Sequence, residues 1–310
     1  MTTGDGTRDE LTRYLAQLSE WCDDVIVVDA SDPPILAENK RAWRESARHV
    51  APDPAHASLM GKVPGVLTGL DLAAHERVII ADDDVRYGRP ELERMVSLLA
   101  DHDVVRPQNY FAPLPWHAVW DTSRTLLNRA FGADFPGTLG VRRSILQATG
   151  GYDGDVLFEN LELIRTVEAH GGRVASLLDL YVRRLPPTAQ HFIGQRTRQA
   201  YDDFAIPQRM ATWLAVIPLL AVCAARRNRT LPALIAAATV SLAECGRRRA
   251  GGRAVFPPAG SVMAPVWVLE RGVCAWLAVA QRLRFGGVRY GDSVIRVAAH
   301  SVRALRRRSV

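Results

Sequence analysis

The stretch Arg77-Val-Ile-Ile-Ala-Asp82-Asp83-Asp84 sets a short apolar run directly before three consecutive carboxylates. Val78 to Ala81, mostly β-branched, reads as a buried strand. Neighbouring carboxylates repel one another and lose hydration when buried, so stability alone gives little reason for the triplet. At the carboxyl edge of an α/β sheet, where ligands collect, it suits a hard divalent cation. Mg²⁺ or Mn²⁺ held by oxygen, with substrate phosphates in the remaining positions, is built this way. The competing reading is a solvated strand-to-helix turn with Asp84 as a helix cap.

Outward from this run, strand and helix patterns alternate. Leu11, Tyr14, Leu15, Leu18 and Trp21 recur at helical spacing. Val25 to Val28 is an apolar run ending in Asp29-Ala-Ser31-Asp32, a strand followed by a polar turn. Residues 64–72 form a helix after Gly61-Lys62. Residues 90–99 form another, opening on a proline whose missing N–H costs little there. Val104-Val105 begins a further strand. The alternation implies an α/β domain with a largely parallel sheet. Asn109 to Trp120 holds Tyr110, Phe111, Trp116 and Trp120 among prolines and reads as an aromatic loop over the sheet edge. It is either a stacking surface for a sugar or lipid acceptor or a hydrophobic lid on the core.

Composition changes near Pro207. Residues 210–225, 231–245 and 262–280 are mostly Ala, Leu, Val, Ile and Trp. Each is near or below the roughly 20 residues that cross a bilayer, and the third carries Glu270-Arg271. A spanning hairpin of the first two leaves Arg226, Arg227 and Arg229 outside, against the positive-inside tendency. A re-entrant or interfacial hairpin avoids this, and a buried helical subdomain is the soluble alternative. The 310 residues carry a net charge of +6. Arginine is concentrated in the last third, in Arg247-Arg248-Arg249 and Arg306-Arg307-Arg308 among others. Basic residues beside apolar segments point to an anionic membrane surface. No aromatic-basic interleaving supports a nucleic-acid platform, so no nucleic-acid partner is expected. Cys22, Cys223, Cys245 and Cys274 are widely spaced, with no CxxC pair, and read as buried small residues. The polar N-terminus lacks a basic segment followed by an apolar core, so no signal peptide is expected.

Further motifs follow in one order. They are Val25-Ile-Val-Val-Asp29, Gly61-Lys62, Ala81-Asp82-Asp83-Asp84, Gly150-Gly151-Tyr152-Asp153, Glu159-Asn-Leu-Glu162 and Gln195-Arg-Thr-Arg198-Gln199. Together they resemble family-2 glycosyltransferases, particularly the membrane-associated relatives of ceramide glucosyltransferases and polysaccharide synthases, over residues 9–205. The resemblance implies an α/β GT-A fold, a Rossmann-like nucleotide-sugar-binding domain with a mainly parallel sheet. It is expected over residues 1–206, followed by membrane-associated helices over 207–283 and a basic cytoplasmic tail over 284–310.

The same resemblance implies transfer of a sugar from a nucleotide-diphosphate donor to a lipid or lipid-linked glycan acceptor. Transfer would be inverting and metal-dependent, at the cytoplasmic face of the cell membrane. Asp29 would contact the nucleotide base and Lys62 would lie beside the donor. Asp82 and Asp84 would hold Mg²⁺ or Mn²⁺, with Asp83 between them at the donor. Gln195 and Arg198 would face the diphosphate, Arg198 as an always-charged fork.

Three departures stand out. The family's opening strand and Pro-x-x-Asn-Glu loop have no counterpart before Asp9, which implies a start upstream of Met1 or a nucleotide pocket lacking a part. The catalytic Glu-Asp pair is Glu159-Asn160, and an amide cannot act as a base, so Glu159 or Glu162 would serve. The tryptophan after the motif arginine is Gln199. Glu159 and Glu162, three apart on a helix, could share a face. A solvated position is the alternative for Glu162, Arg165 is an ion-pair partner for one of them, and His191 is either a third metal ligand or a structural histidine. The contrasting function is a catalytically inactive, glycosyltransferase-like membrane binding partner.

Overall fold

The computed structural model describes residues 5–308 apart from Asp292. The ends of the expected first domain and tail, residues 1–4 and 309–310, lie outside the described residues. The first half of the chain runs α1 (Asp5–Trp21), β1 (Ile26–Val28), α2 (Pro33–Ala42), β2 (Arg48–Val50), α3 (Lys62–Leu72), β3 (Arg77–Ala81) and β4 (Val85–Arg86). It continues through α4 (Arg89–Leu98), β5 (Val104–Phe111), α5 (Trp116–Phe131), β6 (Thr138–Arg142) and α6 (Arg143–Ala148). Next come α7 (Glu159–Ala169), β7 (Val174–Arg184) and α8 (Ala189–Tyr201). The remainder is α9 (Pro207–Ala225), α10 (Thr230–Arg248), α11 (Pro258–Val262), α12 (Ala264–Phe285), β8 (Val288–Tyr290), β9 (Ser293–Ile295) and α13 (Val302–Arg308).

The central sheet has the order β3-β6-β5-β7-β4, while β1 and β2 form a separate parallel pair. Only β5 and β7 are parallel within the central sheet; β3–β6, β6–β5 and β7–β4 are antiparallel. The mainly parallel sheet expected from the alternation is therefore corrected to a mixed one. A parallel neighbour needs a crossover laid over the sheet. Here α5 instead leaves the sheet to pack Leu126 and Leu127 against Ala243 of α10 and Trp267 of α12. The chain re-enters from the same end, and β6 runs back along β5.

Period-two alternation loads both faces of the sheet. Val104, Leu139 and Val141 face Val63, Leu70, Leu146 and Leu163 of α3, α6 and α7. Val105, Val85, Leu180 and Val182 face Met95 of α4, with Leu18 and Trp21 of α1 at the margin. The expected aromatic loop is also corrected. β5 continues through Phe111, and Pro115 leads into α5 at Trp116. Tyr110 and Trp120 pack against the α5–α12 cluster, whereas Trp116 is 57% exposed and meets Phe192 edge-on.

The C-terminal helices share a core with the α/β domain through α5. Gly246 on α10 lies so close that an added Cβ would sit 1.9 Å from the Leu126 carbonyl oxygen and 2.9 Å from the Ala130 nitrogen. Backbone cannot yield as a side chain can. Gly246→Ala is therefore expected to lower stability by about 3 kcal/mol, at the upper end of overpacking costs, read as a fall in thermal unfolding temperature. Unchanged unfolding would refute this contact. Residues 288–291 and 293–308, within the stretch expected as a tail, carry β8, β9 and α13 and contact the domain. β8 and β9 form a hairpin, Val297 bridges Val156, and His300 meets Glu162.

Candidate active site

The acid triplet turns between two strands. Asp82 N–H donates to the Gly137 carbonyl at 2.9 Å and Val85 N–H closes the turn on the Asp82 carbonyl at 3.0 Å. Val85 pairs with Arg184 across β4 and β7, which brings the end of β7 beside the acids. Lys62 opens α3 and Glu159 opens α7. Two strand ends and two helix starts thus converge at one sheet edge.

Lys62 Nζ lies 2.7 Å from Asp82 Oδ1 and 2.8 Å from Glu159 Oε1, and donates to Asn160 Oδ1 at 3.2 Å. Arg184 Nε donates to both Asp84 oxygens at 3.0 and 2.9 Å, and its Nη2 reaches Asp82 Oδ2 at 3.3 Å. The two Asp82 oxygens are therefore divided between two cations. Asn160 Nδ2 donates to the Pro136 carbonyl at 3.1 Å, so the amide bridges Lys62 to the backbone.

Burial opposes charge on all these groups, and the partners decide the outcome. Burial lowers the Lys62 pKa, but Asp82 and Glu159 outweigh it and hold the ammonium above its ordinary range. Burial also opposes the Arg184 charge, and Asp84 and Asp82 outweigh it. Asp82 ends below the ordinary carboxylate range because Lys62 and Arg184 overcome burial. Asp84 ends above it, since burial exceeds what Arg184 returns and Asp82 adds repulsion. Glu159 is raised too, by burial first, with Lys62 opposing and Asp82 adding.

The structure distributes the other expected site residues more widely. Asp83 is exposed at the turn, and its carbonyl accepts from Arg86 at 2.6 Å. Asp29 sits in the β1–β2 corner. It accepts from Ser31 N–H at 2.9 Å and Asn39 Nδ2 at 2.8 Å, and meets His49 Nε2 at 3.0 Å. Burial raises its pKa, but these bonds bring it down to about 2. Gln195 and Arg198 lie on α8; Gln195 contacts His191, and the Arg198 guanidinium lies 5.1 Å from the centre of the Tyr290 ring. The expected metal role of His191 gains no carboxylate partner from this contact.

Glu162, the second acid expected as a base, is engaged by the C-terminal segment. Its side chain is fully buried, with one oxygen accepting from His300 N–H at 2.7 Å and the other 2.8 Å from His300 Nδ1. It fastens the C-terminal segment. Arg165 is not in a close ion pair with either acid; it donates to the His300 and Ala205 carbonyls.

Sequence reasoning missed Arg184, the Asn160 bridge and Arg196. Arg196 is buried between Asp121 at 2.9 Å and Glu270 at 2.6 Å, and ties α8 to α5 and α12. The signal available for Arg184 was a pair of arginines ending the alternating strand Leu180-Tyr-Val-Arg-Arg184, where an acid cluster elsewhere needed counter-charge.

The mixed sheet and its flanking helices match the fold of a solved glycosyltransferase. The chain is similar to the mannosyltransferase PcManGT from Pyrobaculum calidifontis, solved in complex with GDP-Man and Mn²⁺. The TM-score is 0.52 at 19% identity, covering 89% of this chain and 85% of that one. No protein-family model matches the chain, and no curated protein matches it.

Proposed function

We propose that this chain is a family-2-type, inverting hexosyltransferase. It moves a sugar from a nucleotide-diphosphate donor to a lipid or lipid-linked glycan acceptor at the cytoplasmic face of the cell membrane. The observation that carries this reading is the convergence of Asp82, Asp84 and Glu159 on Lys62 and Arg184 at the sheet edge. A bound GDP-mannose in a structure of similar fold supports the donor class.

Asp82 and Asp84 fit a divalent cation. They are hard oxygen donors, they converge on one guanidinium, and both side chains keep part of their surface open. Bound there, Mg²⁺ or Mn²⁺ would neutralise negative charge on the departing diphosphate. The remaining steps belong to the side chains. Lys62 holds Glu159 and Asp82 in fixed relation, so the acceptor hydroxyl and the donor meet in a set geometry. Glu159 takes the hydroxyl proton as the oxygen attacks the anomeric carbon from the face opposite the diphosphate, which is a single displacement with inversion. Arg184 offers a planar fork to phosphate oxygens.

Among the described residues one helix, α9, is long and apolar enough to cross a membrane, and little of it is buried. On α10 and α12, Leu234, Val266, Val273 and Trp276 add exposed apolar surface. This supports membrane attachment through α9, with α10 and α12 lying between the bilayer and the α/β domain. The buried Arg271, 3.6 Å from Asp203, fits a protein-packed α12 better than a lipid-facing one.

The second reading, a non-catalytic membrane binding partner, is favoured by one observation. Asn160 stands at the position of the family's base and is engaged by Lys62. A donor-hydrolysis screen separates the two. The full-length chain with Mn²⁺ or Mg²⁺ is expected to release UDP or GDP from one class of nucleotide-sugar, and chelator should stop the release. No release from any UDP- or GDP-sugar, with or without lipid acceptor, would refute the enzyme reading.

A further inference from the structure

The Arg184 guanidinium occupies the space between the two acids proposed to hold the metal. Its Nε is shared by both oxygens of Asp84, and its Nη2 reaches Asp82. A divalent cation on those oxygens would meet a positive group already using the same lone pairs. Neither Asp84 oxygen is free of the guanidinium, and the other Asp82 oxygen is held by Lys62 at 2.7 Å.

The place is built for this pair. A Cβ at Gly137 would lie 2.3 Å from Asp82 Oδ2 and 3.1 Å from Arg184 Cζ and Nη1, so a glycine leaves room for both. The Arg184 backbone is fixed at the end of β7. It pairs with Val85, and the next residue, Leu185, donates to the Asp84 carbonyl at 2.8 Å. The guanidinium can move only by its own side-chain torsions. With 27% of its surface exposed, the side chain borders solvent.

Charge decides what can displace it. Asp82, Asp84 and Glu159 carry three negative charges against two positive ones on Lys62 and Arg184. A divalent cation alone leaves the cluster with surplus positive charge around the same oxygens. A nucleotide-sugar diphosphate alone, with two negative charges, deepens the deficit. Together the two ligands add no net charge to the cluster, and the diphosphate also offers the displaced guanidinium a better-matched planar partner.

We propose that Arg184 stands in for the divalent cation in the ligand-free protein and moves onto the donor diphosphate when metal and nucleotide enter together. Arg184 is thus a positioning residue that couples metal binding to donor binding, a role that rests on the nucleotide-sugar reading above. Coupling of this kind is reciprocal: nucleotide tightens metal, and metal tightens nucleotide.

The test is Mn²⁺ uptake by the full-length chain, read from loss of the free Mn²⁺ electron paramagnetic resonance signal, with and without UDP or GDP. The parent is expected to bind Mn²⁺ weakly alone and about tenfold or more tightly with one nucleotide, a factor typical of coupled sites. Arg184→Gln is expected to bind Mn²⁺ alone about tenfold more tightly than the parent, because an interfering positive charge is gone. Its nucleotide dependence should shrink. Arg184→Lys keeps the charge and should retain weak binding of Mn²⁺ alone; if thermal unfolding shows Arg184→Gln to be misfolded, Arg184→Met, which also removes the charge, carries the same test. Equal Mn²⁺ affinity in the parent and Arg184→Gln without nucleotide would overturn the proposal while leaving the nucleotide-sugar reading intact. Failure of the parent to bind Mn²⁺ under any of these conditions would overturn both.

Discussion

On the proposed reading, Asp84→Asn is expected to lower sugar transfer by at least about 10³-fold, the loss of several kcal/mol of charge stabilisation, while leaving the protein as stable as the parent or slightly more so. Activity and stability are expected to separate because the role proposed for Asp84 is toward the ligand and its burial does not favour the fold. Burial raises its pKa above the ordinary range despite Arg184. For such a group the favourable contribution is complete at low pH and is lost as pH rises through the folded pKa. At neutral pH its ionised form therefore opposes folding, and a neutral isostere relieves that cost. Arg184 keeps Asp82 as its counter-ion.

Asp82→Asn is expected to abolish transfer as well, but with a clear fall in unfolding temperature. Its pKa is depressed by Lys62 and Arg184, so its contribution is present above the ordinary aspartate range and is lost as pH falls through the folded value. Both variants can be followed by metal-dependent turnover and by thermal unfolding at neutral pH. Near-normal turnover of Asp84→Asn, with and without chelator, would show that the two acids do not hold a metal.

The parts of this site legible in the sequence are those made by neighbours in the chain. An apolar run followed by three acids announces a strand ending in a polar edge, and Lys62 after Gly61 announces a helix start. Strand direction was less legible, because it depends on where a connection packs. The helix after β5 contacts α10, more than a hundred residues later, and no local pattern in Trp116 to Phe131 reports that. Arg184 lies 100 residues from Asp84, so only β4–β7 pairing brings them together.

The arginine-rich last third illustrates the same limit. Composition led to the expectation of a basic surface facing a membrane, and Arg226 to Arg229 are exposed. Arg247 and Arg271, however, are buried. On α8 the motif spacing drew attention to Gln195 and Arg198, whereas the helix turns Arg196 inward to Asp121 and Glu270. Residue type and spacing pointed to this helix; its rotation is a property of what it packs against.

Glu159→Gln is the variant that decides whether the chain is a catalyst. A base must reach the acceptor hydroxyl from a site where its proton affinity suits the task, and such a group typically supplies about 10² to 10⁴-fold. Glu162 is spent on His300, and Asn160 is an amide engaged with Lys62 and Pro136. Glu159 remains, at the first turn of α7, with Lys62 2.8 Å away and its pKa raised by burial and by Asp82. Burial and Asp82 raise its proton affinity above that of a carboxylate in water, and Lys62 opposes the rise. Glu159→Gln keeps the shape and removes the negative charge, so kcat should fall by at least about 10²-fold with little change in donor affinity, as for an interaction made in the transition state. Glu162→Gln should act differently: its carboxylate holds the His300 backbone, so the loss should appear chiefly as a lower unfolding temperature. The pair of variants is read by steady-state kinetics at saturating donor alongside thermal unfolding. If Glu159→Gln turned over like the parent, proton removal would not involve this carboxylate. If both variants and the parent released no nucleotide, Asn160 would mark a chain that binds donor without transferring it.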